Sequence, residues 1–198
     1  MNKPVRSVVF LGPDGAGKTT LINLVEKRLE ARGINPKCYY FAPGYLKRYR
    51  STGQTTVTTN PHEGRQYNAG LVFAKISLML FEFNMGFPKV KRRNGLVLFD
   101  RFIHDLLVDP QRYRMGRVRW WMRAMLKLAP MPDICVIITA PASVIQSRKQ
   151  EVTHAETARQ IEAYKSLAAL FPRAMTIENT GQPDGLVKQI VAEIVKND

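Results

Sequence analysis

The sequence contains little cysteine, and it lacks the long apolar runs that mark membrane spans. Its two cysteines, Cys38 and Cys135, fall in segments that we predict to be buried strands. Isolated cysteines of that kind favour free thiols in the cytoplasm over a disulfide framework. No apolar run approaches the ~20 residues that cross a bilayer, and the run before Gly12 is too short for a signal peptide. Histidines are also few, and none lies at metal-ligand spacing from another (His62, His104 and His154).

Acidic residues are scarce relative to basic ones. Sixteen aspartates and glutamates stand against thirty lysines and arginines, which gives a formal charge of +14 and a pI near 10.1. Such a surface favours an anionic partner, and nucleotides, nucleic acid and an acidic membrane surface are all open. No recognised nucleic-acid motif is present, so specific nucleic-acid binding is not expected. With 198 residues, the chain is predicted to form a single domain over residues 1–198.

Residues 12 to 19 carry the clearest motif in the chain. Gly12, Gly17, Lys18 and Thr19 fit G-x-x-x-x-G-K-[ST], between an apolar run at 5–11 and a helical pattern. This order of strand, glycine-rich turn and helix is that of a P-loop, whose backbone N–H groups cradle phosphate oxygens. Lys18 is expected to reach the β- and γ-phosphates of ATP, and Thr19 to place its hydroxyl on Mg²⁺. The predicted ATP-phosphate-binding residues are Gly12, Asp14, Gly15, Ala16, Gly17, Lys18, Thr19 and Thr20.

Strand and helix patterns alternate along the chain, which predicts an α/β fold. We expect five strands, at 5–11, 37–41, 96–99, 134–138 and 175–177. We expect helices at 17–32, 67–85, 116–129, 141–151, 155–170 and 183–196. The pattern favours a P-loop NTPase arrangement, a three-layer αβα sandwich around a mainly parallel sheet. Gly86 and Pro88 are expected to end the second helix, with a solvated loop at 88–93, and residues 45–65 are expected to form a long functional loop.

Asp100 and Arg101 follow directly on the apolar run at 96–99. An acidic residue at the end of a central strand is typical of the Walker-B position, where its carboxylate lies near Mg²⁺. A planar guanidinium beside it is suited to clamp phosphoryl donor and acceptor. The alternative is a solvent-exposed ion pair at the end of a strand.

The segments FLGPDGAGKTT, LVLFDR and SRKQE, taken in order, resemble thymidylate kinase within the nucleoside monophosphate kinases. The resemblance covers nearly the whole chain and implies ATP and Mg²⁺ as cofactors. It implies that Asp14 contacts the acceptor sugar, and that Arg101 contacts the acceptor phosphate and the transition state. It also implies a helical lid at about 141–160, in which Arg148, Lys149 and Arg159 match the lid cations. Because Gly15 stands where some members carry a catalytic arginine, we expect Arg148 to supply that charge.

The acceptor half of the site departs from the family. The resemblance places Phe73 where an aromatic ring stacks on the base, but Ser77 stands where the family has a base-reading arginine. After the Asp-Arg pair, the family's usual residues are replaced by a charged segment that offers Asp105, Asp109, Arg112, Tyr113 and Arg114. These charges suit a different acceptor, or they belong to a solvated loop. We assign catalysis to Lys18, Asp100, Arg101 and Arg148, metal binding to Thr19 and Asp100, and acceptor binding to Asp14, Phe41, Phe73, Arg101 and Asp105.

Two acceptors are open at this point. The family default is a nucleoside monophosphate, thymidylate first, and such an acceptor needs no general base because it is already anionic. The phrases FAPG, NPH and DLLVDPQRYR also resemble a divergent group of bacterial thymidylate kinase-like proteins that accompany surface-polysaccharide genes. That resemblance implies a sugar or glycolipid precursor as the alternative acceptor. A hydroxyl acceptor would need a base, for which Asp105 or Asp14 is the candidate.

The segment 116–129 is basic and rich in tryptophan. Arg119, Arg123 and Lys127 recur at helical spacing beside Trp120 and Trp121, as in helices that rest on an anionic membrane surface. An ordinary helix packed on the sheet fits the pattern as well. The resemblance further implies a homodimer through the helix at 67–85, whose apolar content is also compatible with a place in the core. A module in which nucleotide hydrolysis only gates binding is the remaining alternative, although no residue that would orient water is identified.

Overall fold

The sheet consists of five parallel strands at the centre of the molecule. The computed structural model describes residues 4–46, 66–148 and 152–196. The strands are β1 (Ser7–Leu11), β2 (Lys37–Tyr40), β3 (Val97–Asp100), β4 (Ile134–Thr139) and β5 (Ala174–Glu178), in the order β2-β3-β1-β4-β5. All neighbouring pairs are parallel, with β1 between β3 and β4. The P-loop strand therefore occupies the middle of the sheet.

Helices cover both faces of the sheet, which confirms the predicted three-layer αβα sandwich. They are α1 (Lys18–Glu30), α2 (Ala69–Asn94), α3 (Trp120–Leu126), α4 (Ala142–Arg148), α5 (His154–Leu167) and α6 (Pro183–Val195). Short 3₁₀ helices span Ile103–Leu107, Gln111–Tyr113 and Ala168–Leu170. Because successive residues of a strand point to opposite faces, Val9 packs with α2, α3 and α5, whereas Val8 and Phe10 pack with α1 and α6.

The structure corrects the prediction that both cysteines are buried in strands. Cys135 is buried in β4, but Cys38 is exposed. The reason is topological, because among the described strands β2 lies at the edge of the sheet and pairs with β3 alone, so less of its surface is covered. Both cysteines are free thiols, as expected.

The second helix is longer than predicted and passes through both expected stop signals. Gly86 and Pro88 lie inside α2, and the supposed loop at 88–93 forms its last turns. A Cβ at Gly86 would come within 2.6 Å of the Pro43 ring, so this glycine allows close packing rather than ending the helix. Phe87 is buried in the core and holds the C-terminal part in place.

Two further features of the helices bear on the sequence predictions. Contrary to the prediction that no segment is long and apolar enough to cross a bilayer, α2 meets that criterion among the described residues by length and composition alone, with 44% of its most apolar window buried. The basic segment forms a shorter helix than the expected 116–129, because Gly116 has φ 67° and Arg119 is extended, so that α3 begins at Trp120.

From residue 47 to residue 65, the predicted functional loop lies outside the described residues, as does His62.

Candidate active site

The loop between β1 and α1 has the backbone conformation of a phosphate-binding turn. Gly12, Gly15 and Gly17 have φ of 149°, 86° and 85°, a region that favours glycine. A Cβ at Gly12 would overlap the carbonyl oxygen of Ile138, and one at Gly17 would overlap the side-chain amide of Asn179. The glycines are therefore required by the backbone. The loop leads directly into the N-terminus of α1, which favours anions.

Lys18 folds back over this loop. Its Nζ donates to the carbonyl oxygens of Gly12 and Pro13, each at 2.8 Å, and lies 3.7 Å from Asp14 Oδ1. Burial and the positive charge of Arg101 lower the pKa of Lys18 to about 8, despite the opposing effect of Asp14. The ammonium group is thus held at the mouth of the loop. Ala16 is buried, whereas Thr19 and Thr20 are exposed.

Thr19 and Asp100 meet at the carboxyl edge of the sheet. Thr19 Oγ1 donates to Asp100 Oδ2 at 3.1 Å. The other carboxylate oxygen, Asp100 Oδ1, is buried and has no hydrogen-bond partner within the described ranges. A hydroxyl and an unsatisfied carboxylate beside a phosphate loop fit Mg²⁺, which takes one or two protein ligands and completes its shell with phosphate and water. Across the described part of the chain, no cluster of three or more His, Cys, Asp or Glu side chains forms an all-protein metal cage.

Arg101 lies at the centre of a buried group of charges next to the P-loop. It follows β3 with φ 74°, is 3% exposed, and donates through its backbone N–H to Phe10. Its guanidinium donates to Asp14 Oδ1 and, at 2.6 Å, to Asp105 Oδ2. Arg112 donates to the other oxygen of Asp14. Two guanidinium groups therefore hold one carboxylate between them.

Asp105 holds the Arg101 guanidinium in place through a hydrogen bond within the core. The residue is 0% exposed, and it accepts hydrogen bonds from the Tyr113 hydroxyl at 3.0 Å and from the Tyr164 hydroxyl. The sequence predicted Asp105 as an acceptor contact, but the structure buries it beneath Arg101, so we assign it to positioning that arginine. We call Asp14, Arg101, Asp105, Arg112, Tyr113 and Tyr164 the Arg101 cluster.

The charges of the cluster fix its protonation states. Burial would raise the pKa of Asp14, but Arg101, Lys18 and Arg112 hold it well below its usual range. Burial would lower the pKa of Arg101, but Asp105 and Asp14 raise it above its ordinary value. Burial and the nearby Asp105 charge raise the pKa of both tyrosines. At pH 7 the cluster thus contains an ionised Asp14, charged arginines and neutral phenols.

The two predicted aromatic contacts are placed differently. Phe41 lies at the end of β2, donates its backbone N–H to the Asp100 carbonyl, and packs 5.1 Å from the Tyr113 ring, centroid to centroid. It therefore adjoins the Arg101 cluster. Phe73 is 55% exposed at the start of α2, where its ring contacts Trp121 at 5.9 Å. The described contacts do not bring Phe73 to the cluster.

The α4–α5 hairpin covers the cluster, in the region predicted to be the lid. Arg148 lies over the P-loop, with Nη1 donating to the Gly15 carbonyl at 3.4 Å. Arg159 instead binds Glu156 and the Val108 carbonyl, away from the P-loop, and Lys149 lies outside the described residues. Beneath the hairpin is a cavity of about 20 Å³, space for about one water molecule. Its walls include Asp14, Arg101, Arg112, Ile145, Thr157 and Gln160.

Sequence reasoning missed several residues of this site. Asn179, directly after β5, donates its side-chain amide to the Ala16 carbonyl at 3.0 Å and so braces the P-loop. A polar residue at the carboxyl end of a strand was the available signal. Tyr164 and Gln160 lie on the inner face of α5, where only buried polar residues in a helical pattern could have indicated them. No family model matches the chain, and no curated protein matches it. Function is therefore inferred from the site and from the resemblance of its motifs.

Proposed function

We propose that the protein is an ATP- and Mg²⁺-dependent phosphotransferase whose acceptor carries a phosphate group, with a nucleoside monophosphate such as thymidylate as the first candidate. The observation that carries this proposal is the juxtaposition of the P-loop with Arg101 and Arg112, which share the Asp14 carboxylate. Two guanidinium groups beside a phosphate loop form an anion site next to the nucleotide site. Phosphoryl transfer needs little more than such positioned charge.

We assign the donor side to the P-loop, Thr19, Asp100 and Arg148. The backbone N–H groups of the loop hold the phosphates, and Lys18 exchanges its bonds with the loop carbonyls for bonds with phosphate oxygens. Thr19 and Asp100 would hold Mg²⁺, which would supply positive charge to the phosphates. Arg148 reaches the loop from the lid, where its positive charge would stabilise the negative charge on the equatorial oxygens of the transferring phosphoryl group.

The acceptor side follows from the Arg101 cluster. The acceptor phosphate binds Arg101 and Arg112, and one of its oxygens attacks the γ-phosphorus of ATP, releasing ADP and leaving a diphosphate on the acceptor. Asp105 and Tyr164 hold the Arg101 guanidinium in place. The cavity is too small for a substrate, so the α4–α5 hairpin has to move for an acceptor to enter.

The alternative acceptor, a sugar or glycolipid precursor with a free hydroxyl, requires a general base. Asp14 is poorly suited because three cations hold its pKa well below its usual range, far from neutral pH. Asp105 is fully buried, and both of its oxygens accept hydrogen bonds. The site therefore favours a phosphate acceptor, such as a nucleoside monophosphate, over a neutral hydroxyl.

We also propose a homodimer through α2, in line with the resemblance. One face of the helix leaves apolar residues uncovered, with Phe81 and Met85 exposed by about half. Ala74 and Leu78 precede them at helical spacing.

Sedimentation velocity on the wild type and on Phe81→Glu tests this proposed dimer, with Leu128→Glu as a matched exposed control. A dimer that dissociates only in Phe81→Glu supports the proposal, and a monomer at all concentrations contradicts it.

The experiment that tests the function is a coupled ADP-release assay with ATP and Mg²⁺. The acceptor panel includes thymidylate, the other nucleoside monophosphates, sugar phosphates and free sugars, with a no-acceptor blank and Lys18→Ala as the inactive control. Stimulation by a phosphate-bearing acceptor supports the proposal. Stimulation by free sugars alone moves the assignment to the hydroxyl alternative, and acceptor-independent hydrolysis alone favours a nucleotide-gated binding module.

A further inference from the structure

A second cavity, of about 560 Å³, lies between α3 and α5. Its volume is in the range of ligand pockets in proteins. Its walls are mostly aliphatic and include Leu107, Leu126, Leu167 and Leu170. The P-loop and the Arg101 cluster contribute no residue to this lining, so the cavity is separate from the candidate active site.

His104 forms part of the cavity wall, and its ring nitrogens have no hydrogen-bond partner among the described residues. It is 1% exposed, lies between the rings of Phe102 and Phe171, and has both ring nitrogens buried without a hydrogen-bond partner in the described part of the chain. Burial lowers its pKa to about 4, so the imidazole is neutral at pH 7. A buried N–H without an acceptor is costly, so its presence in a cavity wall points to a ligand with an acceptor oxygen.

The mouth of this cavity is basic and apolar. Arg123 and Lys127 line the cavity. Trp120, which is 82% exposed, lies three residues before Arg123 and seven before Lys127, so all three side chains lie on the solvent face of α3. Three exposed apolar side chains belong to the adjoining segments, namely Leu128, Met131 and Leu170. We call these six residues the basic apolar face. The segment 116–131 contains four arginines and lysines and no acidic residue.

We propose that the basic apolar face docks on an anionic phospholipid bilayer and that the cavity takes up one acyl chain. Lipid phosphate binds Arg123 and Lys127, Trp120 and Leu128 enter the interfacial region, and a lipid ester oxygen supplies the acceptor that His104 lacks. Each part follows from the chemistry of the surface, since basic side chains attract anionic lipid and tryptophan prefers the membrane interface.

Charge complementarity favours lipid over a second copy of this chain. The chain carries a net charge of +14, and this face would meet its own positive charge in a symmetric dimer. Nucleic acid would satisfy Arg123 and Lys127 but would leave the aliphatic cavity without an occupant. An anionic amphiphile in a bilayer satisfies both.

The two tryptophans of the chain, Trp120 and Trp121, allow a direct test. In a Trp121→Phe background, Trp120 is the single reporter, and its emission is followed during titration with phosphatidylcholine vesicles with and without a quarter phosphatidylglycerol. The expected result is a blue shift with the anionic vesicles, and quenching by lipids brominated on the acyl chain. Arg123→Gln with Lys127→Gln should weaken apparent binding by about 30-fold, from two basic residues near an anionic surface.

The matched control removes two exposed charges from the opposite side of the sheet, through Lys27→Gln with Arg32→Gln. This control should weaken binding by less than about threefold, because screening limits the contribution of distant charges. Ser166→Phe, at an exposed position on the cavity lining, should reduce quenching by the acyl-chain bromines while leaving ADP release unchanged. Circular dichroism verifies that each variant is folded.

Three results would overturn the proposal. Equal loss of binding in both charge pairs would mean that only net charge acts. Binding without acyl-chain quenching would remove the cavity from the site. Concentration-dependent self-association that shifts Trp120 emission without vesicles would assign the face to a second copy. Since no residue of this face belongs to the Arg101 cluster or the P-loop, these outcomes are independent of the phosphotransferase assay.

Discussion

The P-loop and the Arg101 cluster differ in how far apart their residues lie in the sequence. The P-loop is formed by eight consecutive residues, 12 to 19, and its geometry is set by glycine conformations within that stretch. The cluster joins Asp14 to Arg101 and Arg112, which are 87 and 98 positions away, and Asp105 to Tyr164, which is 59 positions away. The first depends on local backbone chemistry and the second on the completed fold.

This difference explains why the P-loop residues could be assigned from their spacing, whereas the contacts among the residues of the Arg101 cluster were not predicted. A local motif appears in the sequence as a fixed spacing, so Lys18 and Thr19 could be assigned before the fold was known. The charges between 101 and 114 fitted a solvated loop equally well, because the burial of most of them depends on packing against α4 and α5. Long-range charge pairing leaves no periodic signal in the sequence.

The largest expected effect comes from removing the central cation of the P-loop. Lys18→Ala should lower phosphoryl transfer by about 10²–10³-fold, because a positioned charge is lost where the transition state gains negative charge. The melting temperature should change little by comparison. Lys27→Ala, an exposed lysine on the same helix, is the control and should retain full turnover. If Lys18→Ala kept most of its turnover, the assignment of the P-loop lysine would be wrong.

On the acceptor side, Arg112→Gln separates the two halves most sharply. It should lower kcat/KM for the acceptor by about 10–100-fold, through loss of a charge-assisted contact, while the Kd for ATP changes less than about twofold. Arg101 is a poorer choice, because its removal leaves Asp105 as an uncompensated buried charge, at a cost of about 3–5 kcal/mol. Arg114→Gln, at an exposed neighbouring position, is the control. Equal losses for ATP and acceptor would place Arg112 on the nucleotide.

A smaller effect is expected from the support beneath Arg101. Tyr164→Phe removes the hydroxyl that donates to Asp105, and should reduce the free energy of unfolding by about 1–3 kcal/mol because a buried carboxylate oxygen loses its partner. Urea denaturation measures this. Acceptor KM should rise more than ATP KM, which a purely structural role would not produce. Tyr40→Phe, at an exposed tyrosine, should alter neither quantity. Equal behaviour of the two variants would contradict the positioning role.

The smallest effect is a proton linked to nucleotide binding. Lys18 has a pKa of about 8 in the free protein, and bound phosphate favours its charged form, so binding takes up a proton above that pH. Affinity for ATP should therefore fall as pH rises through 8, by no more than about tenfold per pH unit. Calorimetry in two buffers of different ionisation enthalpy measures the uptake at pH 6.5 and 8.5. Lys18→Arg, which stays charged, should lack this uptake, and identical uptake in both proteins would assign the proton elsewhere.

The fold was predictable to a similar degree as the P-loop, and for a related reason. Alternating strand and helix patterns led to the confirmed five-stranded αβα sandwich. The errors fall where tertiary packing overrides a local signal. Gly86 and Pro88 are stop signals in isolation. In the fold, however, Pro43 packs against Gly86, and the buried side chain of Phe87 holds the helix on the core between these two residues. The exposure of Cys38 depends on the strand order, which no single strand encodes.

The position of Gly12 has a consequence for how the chain tolerates mutation. A side chain there would overlap the backbone of Ile138 in the neighbouring strand, whether or not a nucleotide is bound. Selection for folding alone would therefore retain this glycine, even in a related chain that bound no phosphate. Lys18 and Thr19 would be free to drift in such a chain. Persistence of the lysine and the threonine among related chains, rather than of the first glycine, would thus be the signature of selection for the proposed nucleotide site.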